Sequence, residues 1–388
     1  MTGTVVSVPA PSPRLAVRRL TLADFRCYAR LRLDTDSRPV VLTGPNGAGK
    51  TNLLEALSFL APGRGMRRAS LADLARQGSG ALTWGVAAVL DGPMGRVEIG
   101  TGREQGAERR AIRVDGQPAK AQMLAGLVSA LWLTPAMDRL FIEGASGRRR
   151  FLDRLVLGQD EGHASRSGAY EHAMRERSRL LRAGNADGRW LGALEETMAR
   201  HGAAMARARV NAVARLDHAC RQGVGVFPAA HLSLAGEVEE WLSQRPDSDA
   251  AADEAEERLR AAFLRARARD AAAGAATLGP HRTDLSVRHG GKDLPAGQCS
   301  TGEQKAVLVS IVLAQARVRT EIGGQAPLLL LDEVVAHLDE TRRRALFDEL
   351  AGLNAQSWMT GTDDALFDGF GERAQFFRVA DAMVHPQA

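Results

Sequence analysis

The residues best suited to chemistry are Gly44-Pro45-Asn46-Gly47-Ala48-Gly49-Lys50-Thr51. Successive backbone N–H groups in such a glycine-rich turn, followed by the positive end of a helix dipole, make a cradle for phosphate oxygens. In a loop of this pattern the lysine, here Lys50, reaches the β and γ phosphates, and the hydroxyl of Thr51 binds Mg²⁺. Far along the chain, Leu328-Leu329-Leu330-Leu331-Asp332-Glu333 delivers two carboxylates at the end of an apolar run. In open α/β sheets that is where a ligand cradled by a phosphate loop would lie. Asp332 can then hold the Mg²⁺ through water, and Glu333 can orient or deprotonate the water that attacks the γ phosphate. Lys50, Asp332 and Glu333 are thus the candidate catalytic residues, and Thr51 and Asp332 the candidate metal ligands.

A third segment, Cys299-Ser300-Thr301-Gly302-Glu303-Gln304-Lys305, precedes the acidic pair. Ser300 with Glu303 three residues on reads as a capping box. That local role leaves the helix start able to favour an anion. Each motif has a plainer explanation: glycines for a tight turn, a buried strand with a polar end, an ordinary cap. What sets those aside is that the motifs occur together and in order.

These groups need elements to hold them. Residues 15 to 34 alternate in two short runs around the turn-like stretch from Asp24 to Tyr28, which predicts an antiparallel pair. The apolar run Pro39 to Thr43 leads into the glycine loop, after which Leu53, Leu54, Leu57 and Leu60 fall on one helix face. The unit is strand, glycine loop, helix. Between Trp84 and Val114, Asp91-Gly92-Pro93 and Asp115-Gly116 punctuate hairpins. From about Arg149 to Ala276 the texture turns helical, with Leu191, Leu194, Met198 and Met205 at helical spacing. It breaks at Phe227-Pro228 and carries an acidic stretch from Asp247 to Glu257 that reads as a solvated face or loop. Val307, Leu308, Ile311 and Val312 form the expected apolar side of the helix after Ser300. The expected division is a flexible tail over 1–13, a first head segment over 14–150, a helical insertion over 151–276 and a second head segment over 277–388.

Composition narrows the class. The chain has 388 residues, 45% hydrophobic and 25% charged, which suits a globular protein of two or three domains. Its longest apolar run falls far short of a bilayer crossing. The first residues do not read as a secretory signal. Cys27, Cys220 and Cys299 lack metal-ligand spacing, so a reducing compartment, the cytoplasm, is expected. The net charge is only +5, but the positive side is nearly all arginine, with lysine at positions 50, 120, 292 and 305 alone. Planar guanidinium forks suit phosphate groups, so the arginine clusters are candidate nucleic-acid contacts.

Ser-x-Gly-x-Gln at this distance from Asp-Glu resembles the signature motif of ATP-binding-cassette (ABC) ATPases, which grips the γ phosphate of the nucleotide held by the other subunit. Ala336-His337-Leu338-Asp339 resembles that family's D-loop, and the stretch from Trp358 to Asp363 occupies the switch region, with Thr362 where most members place a histidine. No glutamine matches the Q-loop; Leu133 to Asp138 fills that region. The interval between Thr51 and Asp332 exceeds that of a bare transporter ATPase and falls short of SMC proteins with their long coiled coils. The chain resembles the RecF family almost from end to end, on Asp24 to Tyr28, on Asn52 to Ala56 after the loop, on Arg148-Arg149-Arg150-Phe151-Leu152-Asp153 and on Gly279-Pro280-His281-Arg282-Thr283-Asp284.

The resemblance implies an α/β fold, an ABC-type P-loop ATPase head with mixed sheets and a helical insertion domain. It implies ATP and Mg²⁺ as cofactors, with Gly44, Pro45, Asn46, Gly47, Ala48, Gly49, Lys50, Thr51, Ser300, Gly302, Gln304 and Asp339 as nucleotide contacts. It also implies a weak, DNA-stimulated ATPase in DNA repair and replication. Such a protein closes as an ATP-dependent homodimer on duplex DNA near single-strand gaps and assists recombinase loading with partners of the RecO and RecR type. Arg64, Arg67 and Arg68 are candidates for a DNA-facing surface, against the simpler reading of an exposed loop. The competing readings are an ABC transporter subunit, a guanine-nucleotide switch or small-molecule kinase, and a structural SMC-like scaffold. No lysine stands in an Asn-Lys-x-Asp context, which disfavours the switch.

Overall fold

The computed structural model describes residues 14–78, 80–92, 95–184, 187–245 and 248–387. The tail expected over 1–13, Pro93 of the expected turn and Asp247 at the head of the acidic stretch lie outside them. Contacts divide the chain into two units: the chain up to Trp132 together with the chain from Arg319 onward, and Leu133–Val318 between them. These divisions fall elsewhere than the 150 and 277 read from sequence texture.

In the first unit, strands β1 (Ala16–Phe25) and β2 (Tyr28–Asp34) pair antiparallel, with Leu20 opposite Leu33. The turn is tighter than its sequence suggests: only Arg26 and Cys27 separate the strands, with Arg26 at φ 55. Strand β3 (Val40–Thr43) is buried at every position, as a central parallel strand should be. Helix α1 (Lys50–Ser58) follows the glycine loop. Strands β4 (Trp84–Gly92), β5 (Gly95–Arg103), β6 (Ala111–Val114) and β7 (Gln117–Pro118) form the expected hairpins and complete a sheet of order β2-β1-β4-β5-β6-β7. Trp84, Val86, Ala88 and Leu90 alternate inward along β4, the period-2 pattern of a sheet with one covered face. A short helix α2 (Ala121–Leu127) leads to β8 (Ala130–Leu133).

The second unit holds α3 (Ala145–Leu157), α4 (His163–Ala183), α5 (Gly188–Arg221), β9 (Ala230–Ala235), α6 (Glu237–Ser243), α7 (Asp249–Ala273), β10 (Asp284–His289) and β11 (Leu294–Pro295). Along α5, Leu191, Met198 and Met205 are buried and Leu194 packs beside them, as their spacing predicts. Ser248 caps α7 by accepting from the Ala251 amide, so the acidic residues after it are helical. The sequence reading missed a small sheet of order β11-β10-β9. The break at Phe227-Pro228 leads into its strand β9 rather than into another helix.

The core of this unit is partly ionic. Arg177, fully buried, gives 2.9 and 2.7 Å bonds to Glu195 and Asp270 and a third to the Phe263 carbonyl. Arg209 reaches both oxygens of Asp153, Glu239 at 3.3 Å and the Pro280 carbonyl at 2.6 Å. Charges this deep persist only when paired on several sides.

Helix α8 (Thr301–Gly323) begins in the second unit and ends in the first. It is buried from Gln304 through Ala316, all round and not on one side as its sequence suggests. The first unit then resumes with β12 (Leu328–Leu331), α9 (Glu340–Gly352), β13 (Ser357–Gly361), β14 (Gln375–Ala380) and β15 (Met383–Pro386). Its second sheet has the order β15-β14-β3-β13-β12-β8, with β13 parallel to both β3 and β12. The strand entering the glycine loop and the strand ending in two carboxylates are thus separated by β13 alone.

Candidate functional site

The glycine loop is shaped by close approaches that exclude side chains. Gly44 has φ +146, and a Cβ there would lie 2.1 Å from the Val379 carbonyl oxygen of β14. Gly49 caps α1 at φ +112, and its Cβ would come within 2.7 Å of the Tyr28 hydroxyl. Pro45, Asn46 and Gly47 form the exposed tip of the loop, while Ala48 and Gly49 are buried behind it. Among the described residues no side chain caps the start of α1, which leaves the Lys50 and Thr51 amides uncapped. The Lys50 ammonium donates to the Gly44 and Pro45 carbonyls at 2.7 and 2.9 Å. Burial pulls its pKa below the ordinary lysine value, with Glu333 and Asp332 opposing the shift.

Thr51 and Asp332 meet across 281 positions of chain: the Thr51 hydroxyl donates to Asp332 Oδ1 at 2.9 Å. The same oxygen accepts from the Thr360 hydroxyl at 2.8 Å. Thr360 Oγ1 in turn accepts from the Glu333 amide at 2.9 Å. Glu333 sits in the left-handed region at φ 53 and ψ 23, opening a 3-10 turn over Val334–His337. The structure therefore brings Lys50, Thr51, Asp332 and Glu333 together, as their motifs require. Asp339 caps α9, its carboxylate accepting from the Arg342 amide at 2.8 Å. Thr362 is exposed just past the end of β13.

Neighbouring residues brace the loop. Arg26 forks onto both oxygens of the fully buried Glu55 at 2.7 and 2.8 Å, fixing the β1–β2 turn against α1. Arg64, Arg67 and Arg68 are all exposed, and Arg67 also reaches Asn52 at 3.1 Å and Glu55 at 3.4 Å. Cys27 is exposed and accepts from Asn52 at 3.2 Å, with Cys220 and Cys299 buried elsewhere.

In the second unit the Ser300 segment forms the capping box its spacing predicts: the Glu303 amide donates to Ser300 Oγ at 3.4 Å and the Ser300 amide to Glu303 at 3.0 Å. Lys292 also pairs with Glu303, and together these bonds take its carboxyl down to about 2. Ser300 and Gly302 are exposed. Gln304 is not: its side chain is buried and donates to the Cys299 carbonyl at 2.8 Å, so it supports the segment from within. Asp138, in the region a Q-loop would occupy, pairs with Lys305 at 3.4 Å.

The segments around Arg148 and Gly279 turn out to be one structure. Arg148 forks onto Asp284 at 2.8 and 2.7 Å, and Arg149 donates to the Thr283 carbonyl at 3.0 Å. His281 Nδ1 lies 2.7 Å from the Tyr170 hydroxyl and Nε2 lies 2.9 Å from the Ala276 carbonyl. Arg150 and Arg282 are exposed. Of the arginines singled out in these segments, Arg148 and Arg149 have internal work.

A family model described as the RecF/RecN/SMC N terminal domain matches residues 16–381. The DNA replication and repair protein RecF of Rhizobium meliloti (strain 1021) is 51% identical over 377 residues, covering 96% of this chain and 99% of that protein. This chain belongs to the RecF family. The RecF of Agrobacterium fabrum (strain C58 / ATCC 33970) is 50% identical over 372 residues, 95% of this chain and 97% of its own length. A solved structure of the recombination mediator RecF with ATP superposes with a TM-score of 0.83 at 22% identity, over 97% of this chain and 98% of that one. An Smc head bound to the C-winged helix domain of ScpA gives 0.56 at 15% identity, over 96% of each chain. The fold is thus the ABC-type ATPase head shared by RecF and SMC proteins, with mixed sheets and helices. Membership of the RecF family sets aside the transporter subunit and the guanine switch.

Proposed function

We propose that this RecF family member is an ATP-gated DNA clamp. The observation that carries the reading is the meeting of Thr51 with Asp332 at 2.9 Å, beside the Lys50 ammonium and the open start of α1. A hydroxyl and a carboxylate are hard oxygen donors, and two protein ligands with phosphate and water completing the shell suit Mg²⁺. Among the described residues no cluster of three or more His, Cys, Asp or Glu forms a self-sufficient metal cage, in keeping with such a shared shell. The ion would neutralise charge on the β and γ phosphates. The loop from Gly44 to Thr51 binds the phosphates through its amides, with Lys50 exchanging its two carbonyl partners for phosphate oxygens. Glu333 orients the attacking water or takes its proton.

Ser300 and Gly302 of a second copy close over the γ phosphate, and Asp339 is a further nucleotide contact. A Cβ at Gly302 would meet nothing within 4 Å among the described residues. The space beside it is open to a group approaching from outside, which supports that contact. In this reading 14–150 and 277–388 form the ATPase head around a helical insertion over 151–276. ATP joins two heads around duplex DNA near a single-strand gap. Slow, DNA-stimulated hydrolysis removes the phosphate both copies grip and so releases the clamp. The clamp works in the cytoplasm with RecO- and RecR-type partners in recombinase loading.

Size-exclusion chromatography with light scattering, with and without a non-hydrolysable ATP analogue and gapped duplex, tests this directly. Nucleotide-dependent doubling of mass is expected. A single-copy mass under all conditions would end the proposal.

A further inference from the structure

We infer that Thr360 is a positioning residue for hydrolysis: one buried hydroxyl fixes both the Asp332 carboxylate and the main chain from which Glu333 projects. The inference rests on the site reading above and deepens it.

A threonine hydroxyl has one proton to give and two lone pairs to accept with. Both capacities are in use. The amide of Glu333 can only donate, so Oγ1 accepts there, at 2.9 Å. Its single proton is then directed to Asp332 Oδ1, at 2.8 Å. Thr360 is fully buried, so water does not compete for either bond. Removing the hydroxyl would leave the Glu333 amide without this acceptor and Asp332 Oδ1 with Thr51 as its remaining donor among the bonds described.

The backbone makes the first bond matter. Glu333 is a non-glycine residue in the left-handed region, a conformation that must be held by its surroundings. Its amide bond to Thr360 is one such hold, and it sets the origin of a side chain whose task depends on placement to a fraction of an ångström. The register makes Thr360 well placed for the role. On β13, Met359 pairs with Leu331 of β12 on one side and Val41 of β3 on the other, and Thr360 lies opposite Leu42. A residue one step beyond Met359 therefore meets the chain exactly where β12 gives way to Asp332 and Glu333. Since Thr360 touches neither the loop's amides nor Lys50 in the bonds described, it should govern turnover and metal dependence, leaving nucleotide binding largely alone.

Three substitutions separate the hydroxyl from the methyl. Thr360→Val keeps the shape and loses the oxygen, Thr360→Ser keeps the oxygen and loses the methyl, and Thr360→Ala loses both. We expect Val and Ala to lower kcat by roughly 10- to 100-fold and to raise the Mg²⁺ concentration for half-maximal turnover several-fold. ATP affinity should stay within about 3-fold, and Ser should restore turnover. Should the valine chain not fold, the alanine and serine chains, which differ only in the oxygen, give the same comparison. Val turning over normally with Ser impaired, or Ala and Ser impaired equally, would mean packing and would overturn the inference. Lys50→Met measured alongside separates the two levels: if it binds ATP normally, the site reading itself has failed, whereas lost binding there with normal Thr360→Val turnover defeats only the role of Thr360.

Discussion

At the residue scale, the phosphate loop and the acidic pair were legible because their chemistry dictates type and spacing together: glycines where a Cβ would strike Val379 or Tyr28, a lysine and a threonine at the helix start, carboxylates after an apolar strand. Thr360 was not legible as more than part of a switch segment, because a hydroxyl that works by bridging two backbone-distant groups leaves no pattern in its own neighbourhood. Gln304 misled in the opposite sense: it fits an outward-facing motif, yet the fold turns it onto Cys299. Two outcomes belong to this scale. Lys50→Met should reduce ATP binding by at least about 10-fold, since a buried ammonium on phosphate oxygens is worth more than about 1.4 kcal/mol; calorimetric titration measures it. Glu333→Gln keeps the shape and removes the base, so ATP-bound dimers should persist on gapped DNA while turnover falls by roughly 100-fold or more; a monomer with unchanged turnover would contradict the assigned role.

At the element scale, strand and hairpin placement followed from alternation, and α5 from its 3.6-residue spacing. The β9–β10 pairing did not, because its strands are separated by two helices, and short strands announce nothing about distant partners. Arginine-rich segments were likewise ambiguous until Arg148 was seen on Asp284. That pair yields a pH dependence. Hydrogen bonds from Arg148 hold the Asp284 carboxyl below the usual carboxylate range, with burial opposing. A depressed folded value means that its stabilisation is complete above the unfolded value of about 3.9 and fades as the pH falls through the lower folded one. The stability gap between the native chain and Asp284→Asn, read by urea denaturation, should therefore hold steady above about pH 5 and narrow as the pH falls below about 4. Just before α8, Ser300→Arg should leave ATP affinity intact and abolish nucleotide-dependent dimerisation by light scattering, since a bulky cation would stand where a second copy approaches.

At the scale of the whole molecule, family and fold class could be read from ordered motifs, while the ion-paired packing of the helices could not. Texture marks where helices begin but not which of them pack together, and the ionic cores around Arg177 and Arg209 recruit residues from α3, α4, α5, α6 and α7. If the closed dimer engages duplex DNA through its arginines, log affinity should fall linearly with log salt, and each phosphate-contacting arginine replaced should lower the slope by roughly one unit. Arg64, Arg68, Arg150 and Arg282, all exposed, are the ones to replace, and fluorescence anisotropy across a salt series measures the slope. Finally, Cys27 lies open to solvent beside the Gly49 turn, while Cys220 and Cys299 are enclosed and burial pushes the Cys220 thiol up to about 12. A maleimide dye should therefore label one position selectively in the native chain, planting an optical reporter at the rim of the phosphate cradle with no engineered cysteine required.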